Sequence, residues 1–105
     1  MAQPIVKLCL IRGYTEAYHQ LSEEDQGKLW AQVDEVLTGL GVKMVGPYYN
    51  CRWSNDKYAS FFLLEYPTIE AAIADTAAVE KAGLFRYIRS ETILSIPEVP
   101  AEPNP

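Results

Sequence analysis

The sequence predicts an α+β domain: one four-stranded antiparallel sheet with two helices on one face. Three observations predict it. Short runs of strand formers and longer stretches with helical spacing follow one another as strand–helix–strand–strand–helix–strand. Turn chemistry at Ser54-Asn55-Asp56-Lys57 joins the second strand directly to the third and makes the two antiparallel. The 105 residues match the size of a single domain, and a hydrophobic share of 49% with 22% charged excludes a disordered body.

Each element follows from local chemistry. The run Pro4 to Ile11 is almost unbroken apolar sequence, too short for an average helix and rich in strand formers. Tyr14 to Leu21 is polar and aromatic and reads as a loop. Ser22 can cap a helix whose first turn, Glu23, Glu24 and Asp25, complements the positive end of the helix dipole. Leu29, Val33, Val36 and Leu40 form its buried stripe, Trp30 and Leu37 widen it, and Gly39 and Gly41 end it. Val42 to about Trp53 is extended, with a bulge or kink at Gly46-Pro47, and the proline assigns it to an edge of the sheet. Tyr58 to Tyr66 is the third strand. Pro67-Thr68 stops it and caps a second helix with a small-residue face of Ile69, Ala72, Ile73, Thr76 and Ala77, broken at Gly83. Leu84 to Ile88 forms a short extra turn, and Glu91 to Ile96 the last strand. The domain spans residues 1–97; residues 98–105 are a Pro-rich tail, extended and loosely held.

This order is the split βαβ, or ferredoxin-like, arrangement, with the first and third strands central. In a monomer of that plan the free sheet face meets water, and the central strands alternate apolar and polar residues. Here they do not. Phe61 and Leu63 point one way while Phe62 and Leu64 point the other; Ile5, Cys9 and Ile11 oppose Val6, Leu8 and Leu10. Leaving four such side chains wet forgoes roughly 6–12 kcal/mol of burial at about 1.5–3 kcal/mol each. No element of the chain is left over to cover them, so a homodimer with sheets packed face to face is expected. Lys7 and Glu65, the charges on the central strands, are expected to pair with each other; facing a pocket, either becomes an acid or base.

The element order, the aromatic-rich second and third strands and the broken second helix running into Gly-Leu-Phe-Arg-Tyr-Ile resemble the dimeric α+β barrel superfamily. Leu-Ser-Glu-Glu-Asp, Gly-Leu-Phe-Arg-Tyr-Ile and the closing Ile-Leu-Ser-Ile-Pro are similar to small members such as darcynin-like proteins. The resemblance covers residues 4–97 as a plan. It implies a pocket between sheet and helices. The activities it brings with it are cofactor-independent monooxygenases, lactone isomerases, polyketide cyclases and haem enzymes, beside proteins without known chemistry.

Two groups of residues carry candidate chemistry. Imidazole is the side chain whose ordinary pKa lies nearest neutrality, and His19, the one histidine, lies beyond a central strand among Arg12, Tyr14, Glu16 and Tyr18. As a general base, with Tyr14 and Tyr49 hydroxyls orienting a substrate, it would sit at a pocket mouth; otherwise it is a surface histidine. Superfamily enzymes that use a histidine often carry it elsewhere in the plan, and no second histidine exists here. The second group is Tyr48 to Trp53, where alternation sends Tyr49, Cys51 and Trp53 to one face and Tyr48, Asn50 and Arg52 to the other. Asn50, Arg52, Trp53 and Arg12 could hold a flat, phenolic or anionic ligand, with Tyr87 closing the far side; the structural alternative is aromatic packing at a dimer edge.

Other classes recede. Nine basic against fourteen acidic residues give a net charge of −5, which repels phosphate backbones and, with apolar residues on both sheet faces, argues against nucleic-acid binding. No metal-ligand spacing, phosphate loop or nucleophile triad is present, and His19 alone offers little to haem, so no metal or cofactor is expected. No segment reaches the roughly 20 apolar residues of a membrane span. Cys9 and Cys51 read as reduced thiols of a cytoplasmic protein. The leading expectation is thus a homodimeric barrel binding a small apolar or aromatic molecule, with a cofactor-independent oxygenase, isomerase or cyclase as its enzymatic form. The alternative is a non-catalytic homodimeric binding or assembly module. A cavity of roughly 300 Å³ or more reached by His19 or Arg52 favours the enzyme; a dry, filled interior favours the module.

Overall fold

A computed structural model describes residues 4–97. Strand β1 (Ile5–Tyr14) is followed by the single turn α1 (Glu16–His19), helix α2 (Glu23–Gly39) and strand β2 (Lys43–Asn50). Strand β3 (Ser60–Tyr66), helix α3 (Ile69–Lys81) and strand β4 (Ile88–Ser95) complete the fold, with 3₁₀ turns at Arg52–Ser54 and Leu84–Arg86. The sheet order is β2-β3-β1-β4 with antiparallel pairing throughout, so β1 and β3 are central and β2, with its proline, is an edge. This is the ferredoxin-like order. The Pro-rich stretch at 98–105 lies outside the described residues. Among the described residues no helix is long and apolar enough to cross a membrane.

Caps and turns set the boundaries. The Ser22 hydroxyl accepts from the Asp25 amide at 3.1 Å and starts α2. Gly41, at φ +73°, ends it: the Val42 amide reaches back to the Leu37 carbonyl and Gly41 to Thr38, a Schellman closure. In β2 the register shifts between Val45 and Tyr49, at the expected bulge. Gly46 sits there at φ +80°, where a Cβ would lie 2.8 Å from the Tyr49 hydroxyl.

Three local expectations are corrected. Tyr14 to Leu21 is not a loop: β1 runs through Tyr14, and Thr15 caps a helical turn by accepting from the Tyr18 amide while its hydroxyl donates to the Arg86 carbonyl. The second strand ends at Asn50, so alternation does not extend to Cys51 and Trp53. Asn55 folds the following loop over, accepting from the Lys57 and Tyr58 amides and donating to the Cys51 carbonyl. Helix α3 buries Ala71, Ala72, Asp75 and Val79, leaving Ile69 and Ile73 outside, the latter 62% exposed. The helix is turned so that a carboxylate, not an isoleucine, faces the sheet.

The core lies between sheet and helices. Cys9, Leu64, Tyr66, Ala71 and Ala72 form its buried centre, with Leu37, Leu40 and Phe62 packed around it. On the opposite sheet face, Leu8 stands across from Leu63 and Ile93, and Leu10 across from Phe61. Ile93, on the β4 edge of that face, is 54% exposed, and Val45 and Tyr49 are exposed on its β2 edge, next to Leu63 and Phe61. Apolar residues therefore occupy both faces of β1 and β3.

One end of that face is ionic. Glu91 accepts the Tyr58 hydroxyl and lies 3.5 Å from Arg12 and 3.6 Å from Lys57. The Tyr58 hydrogen bond outweighs desolvation and, with lesser help from the Lys57 and Arg12 charges, holds its carboxyl below the ordinary glutamate range. A depressed folded-state value contributes stability above the unfolded pKa of about 4.3, lost as pH falls through the folded value. Glu91→Gln is accordingly expected to lower the melting temperature at neutral pH, with the gap from wild type closing below about pH 4. A gap independent of pH would show that the carboxylate charge contributes nothing.

Candidate functional site

Between the sheet and the two long helices lies a cavity of about 530 Å³. The β4 residues that face it, Ser90 and Thr92, are small. Cys9 stands beside Thr92, and Ile11 beside Ser90, where larger side chains would fill the space. Met44, Tyr48, Phe62 and Leu64 form the rest of the sheet wall; Trp30, Val33 and Leu37 of α2 and Thr76 and Val79 of α3 close over it. The size is that of a small-ligand pocket.

Lys7, Asp34 and Asp75 are the charged residues that line the cavity; Asp34 is exposed, and Lys7 and Asp75 are buried. Lys7 Nζ lies 3.4 Å from Asp75 Oδ2, with side-chain exposures of only 10% and 4%. The Tyr66 hydroxyl donates to the same oxygen, and the Lys7 ammonium sits 5.2 Å from the Tyr66 ring centre. Asp75 Oδ1 is buried and has no hydrogen-bond partner among the described residues. Burial, then the Asp75 hydrogen bond and charge, push the Tyr66 phenol far above its usual range, so it remains a donor. Burial also pushes the adjacent Cys9 thiol up to about 11, which keeps it protonated and unreactive at neutral pH. Both cysteines are free.

The expected Lys7–Glu65 pair is corrected by strand parity. Lys7 stands opposite Leu64, while Glu65 stands opposite Val6 and Lys43 on the other sheet face. A one-residue offset separates the two charges by the thickness of the sheet, and Lys7 finds its counter-charge on α3.

The structure scatters the residues singled out in the sequence. Tyr14 lines the cavity, stacked on Tyr18 at 4.5 Å, and the Trp30 indole N–H donates to the Tyr18 hydroxyl at 2.9 Å. His19 is exposed on α1, edge-on to Tyr14 at 6.4 Å, and is not a lining residue. Tyr49 stacks on Phe61 at 4.9 Å on the face away from the cavity, and Arg12 pairs with Glu91 there. Asn50 is occupied locally: its side chain accepts from the Arg52 amide and its carbonyl from the exposed Trp53 indole. Arg52 is exposed, and Tyr87 borders a separate hollow against Leu21 and Leu29. The cavity thus exceeds the size set for a ligand pocket, while the buried charged groups that line it are Lys7 and Asp75, and neither His19 nor Arg52 is among its lining residues.

Sequence reasoning missed Asp75 and Tyr66 and gave Tyr48 no ligand role, although Tyr48 lines the cavity against Phe62 at 4.7 Å. Partial burial, followed by nearby Tyr14 and Asp34, raises the Tyr48 phenol above its usual value. A signal for Asp75 was present: it stands four residues after Ala71 and four before Val79, in a helix otherwise rich in alanine.

No family model matches the sequence, and no curated protein does. Among solved structures the chain is similar to a protein of unknown function from Rhodopseudomonas palustris, at 21% identity and a TM-score of 0.58, covering 95% of this chain and 86% of that one. It is also similar to a hypothetical Arabidopsis thaliana protein solved in solution, at 17% identity and a TM-score of 0.59, covering 93% and 91%. The likeness spans nearly the whole of each molecule and shows the α+β fold.

Proposed function

We propose that this chain is a small-molecule-binding protein of the dimeric α+β barrel type, taking an apolar or aromatic molecule between sheet and helices. The observation that carries this reading is the 530 Å³ cavity, whose mainly apolar wall admits one buried ion pair. Apolar specificity comes from Phe62, Leu64, Val79 and Trp30; orientation comes from Lys7 and Asp75. In an enzymatic form the same two groups supply proton transfer: Asp75 takes up a proton, and the Lys7 ammonium holds the negative charge that develops on a neighbouring oxygen. That division of labour suits an isomerase or a cyclase. The apolar face opposite the cavity supports a homodimer closed sheet against sheet.

The binding test is direct. Adding naphthalene to isotope-labelled protein is expected to shift the amide resonances of Cys9, Leu64 and Val79, which surround the cavity. Val79→Trp, which fills the space, is expected to abolish those shifts while the spectrum stays that of a folded protein. Shifts that are absent, or that persist in the filled variant, overturn the assignment of the cavity as the ligand site.

A further inference from the structure

We propose that the open end of the cavity recognises a protonated amine between the Asp34 carboxylate and the rings of Tyr14 and Tyr48, so that the ligand is an apolar or aromatic body carrying an ammonium group; this rests on the cavity being the binding site. Exposure distinguishes the two ends. Lys7 and Asp75 line the cavity from within and are almost closed to solvent. Asp34, Tyr14 and Tyr48 line it too, yet the two tyrosines are 43% and 57% exposed and Asp34 is exposed on α2. An entering molecule meets these groups first, as it passes from water into the apolar interior. Asp34 stands one turn after Trp30, so carboxylate and indole share the lining side of the helix. Burial, then the nearness of Tyr14, Asp34 and Cys9, raises the Tyr48 phenol, which makes the three mouth groups electrostatic neighbours.

The charges decide the head group. One cation and two carboxylates line the cavity, a balance of −1 among the lining residues. Lys7 is matched by Asp75 at 3.4 Å, which leaves Asp34 as the lining charge in no ion pair among the described residues. Lys43, Arg86 and Arg89 each stand beside a lining residue in sequence and turn away from the cavity. Strand alternation sends Lys43 and Arg89 to the other sheet face, and Arg86 lies over the Tyr87 ring. A carboxylate head would meet Asp34, and a neutral head would leave its charge unanswered. An ammonium group completes the pair, and the neighbouring rings of Tyr14, Tyr48 and Trp30 add cation–π attraction. Because Asp34 is solvated, the head keeps part of its water, and the apolar body alone passes inward to Phe62, Leu64 and Val79.

Fluorescence titration at neutral pH with β-naphthylmethylamine, β-naphthylmethanol and β-naphthoate tests this, the three sharing one ring system. Wild-type protein is expected to bind the amine about fivefold or more tighter than the alcohol, with the carboxylate the weakest. Asp34→Asn is expected to cut that preference by about threefold while the alcohol binds as before. Glu35→Gln removes the next charge of the same helix, exposed and outside the lining, and is expected to leave the preference unchanged. Equal affinity of wild type for amine and alcohol overturns the proposal while leaving the cavity as a binding site, and needs no variant to fold. A preference that survives in Asp34→Asn, or falls as far in Glu35→Gln, also overturns it, since the amine then answers to the net negative charge of the whole chain. Failure of all three probes to bind wild type overturns the binding reading itself.

Discussion

Lys7→Met is expected to cost about 3–5 kcal/mol of folding stability, a large share of the roughly 5–15 kcal/mol available to a domain. Lys7 and Asp75 are almost wholly buried, and the variant leaves a carboxylate in a mainly apolar space with Tyr66 as its one remaining partner among the described residues. The paired substitution K7M/D75L is expected to recover most of the loss, because removing both charges leaves no uncompensated ion. Urea unfolding followed by circular dichroism checks the order: wild type and the double variant close together, Lys7→Met lower by about 1 M or more in midpoint. A single variant as stable as wild type would show that Asp75 is neutral in the folded protein.

The second large effect concerns assembly. Leu63 and Leu8 face each other across the middle of β1 and β3 on the side away from the cavity. Wild-type protein is expected to sediment as a dimer at micromolar concentration, and Leu63→Asp as a monomer. A charge placed at the centre of a two-fold interface counts twice, about 2–4 kcal/mol each time, which weakens dimerisation by roughly a thousandfold or more. Ile73→Asp is the control: that residue is 62% exposed on the outer side of α3, and its replacement is expected to leave the dimer unchanged. A wild type that sediments as a well-folded monomer overturns the dimer.

Periodicity reached far into this fold. The strand order, the capped α2, the bulge at Gly46 and the two-faced apolar character of β1 and β3 all follow from spacing and turn residues. What escaped it has one physical root. Spacing tells which residues share a face of their own element, but not how that element is rotated against its neighbours. Reading α3 by its isoleucines put Ile73 inside; the helix instead presents Asp75 because Lys7 lies beneath it. The same rule explains the choice of Glu65, which is close to Lys7 in strand register yet on the wrong side of the sheet. The candidate site was legible as a place between sheet and helices. Its charged residues depended on a contact across 68 positions of sequence, which no local window contains.

That long-range contact also bears on how the molecule comes into being. The lysine belongs to the first strand–helix–strand half and the aspartate to the second, so a nascent chain that has produced only the first half holds a stranded cation in its most apolar ribbon. Neither half satisfies itself, and the two halves must condense together into a single cooperative unit.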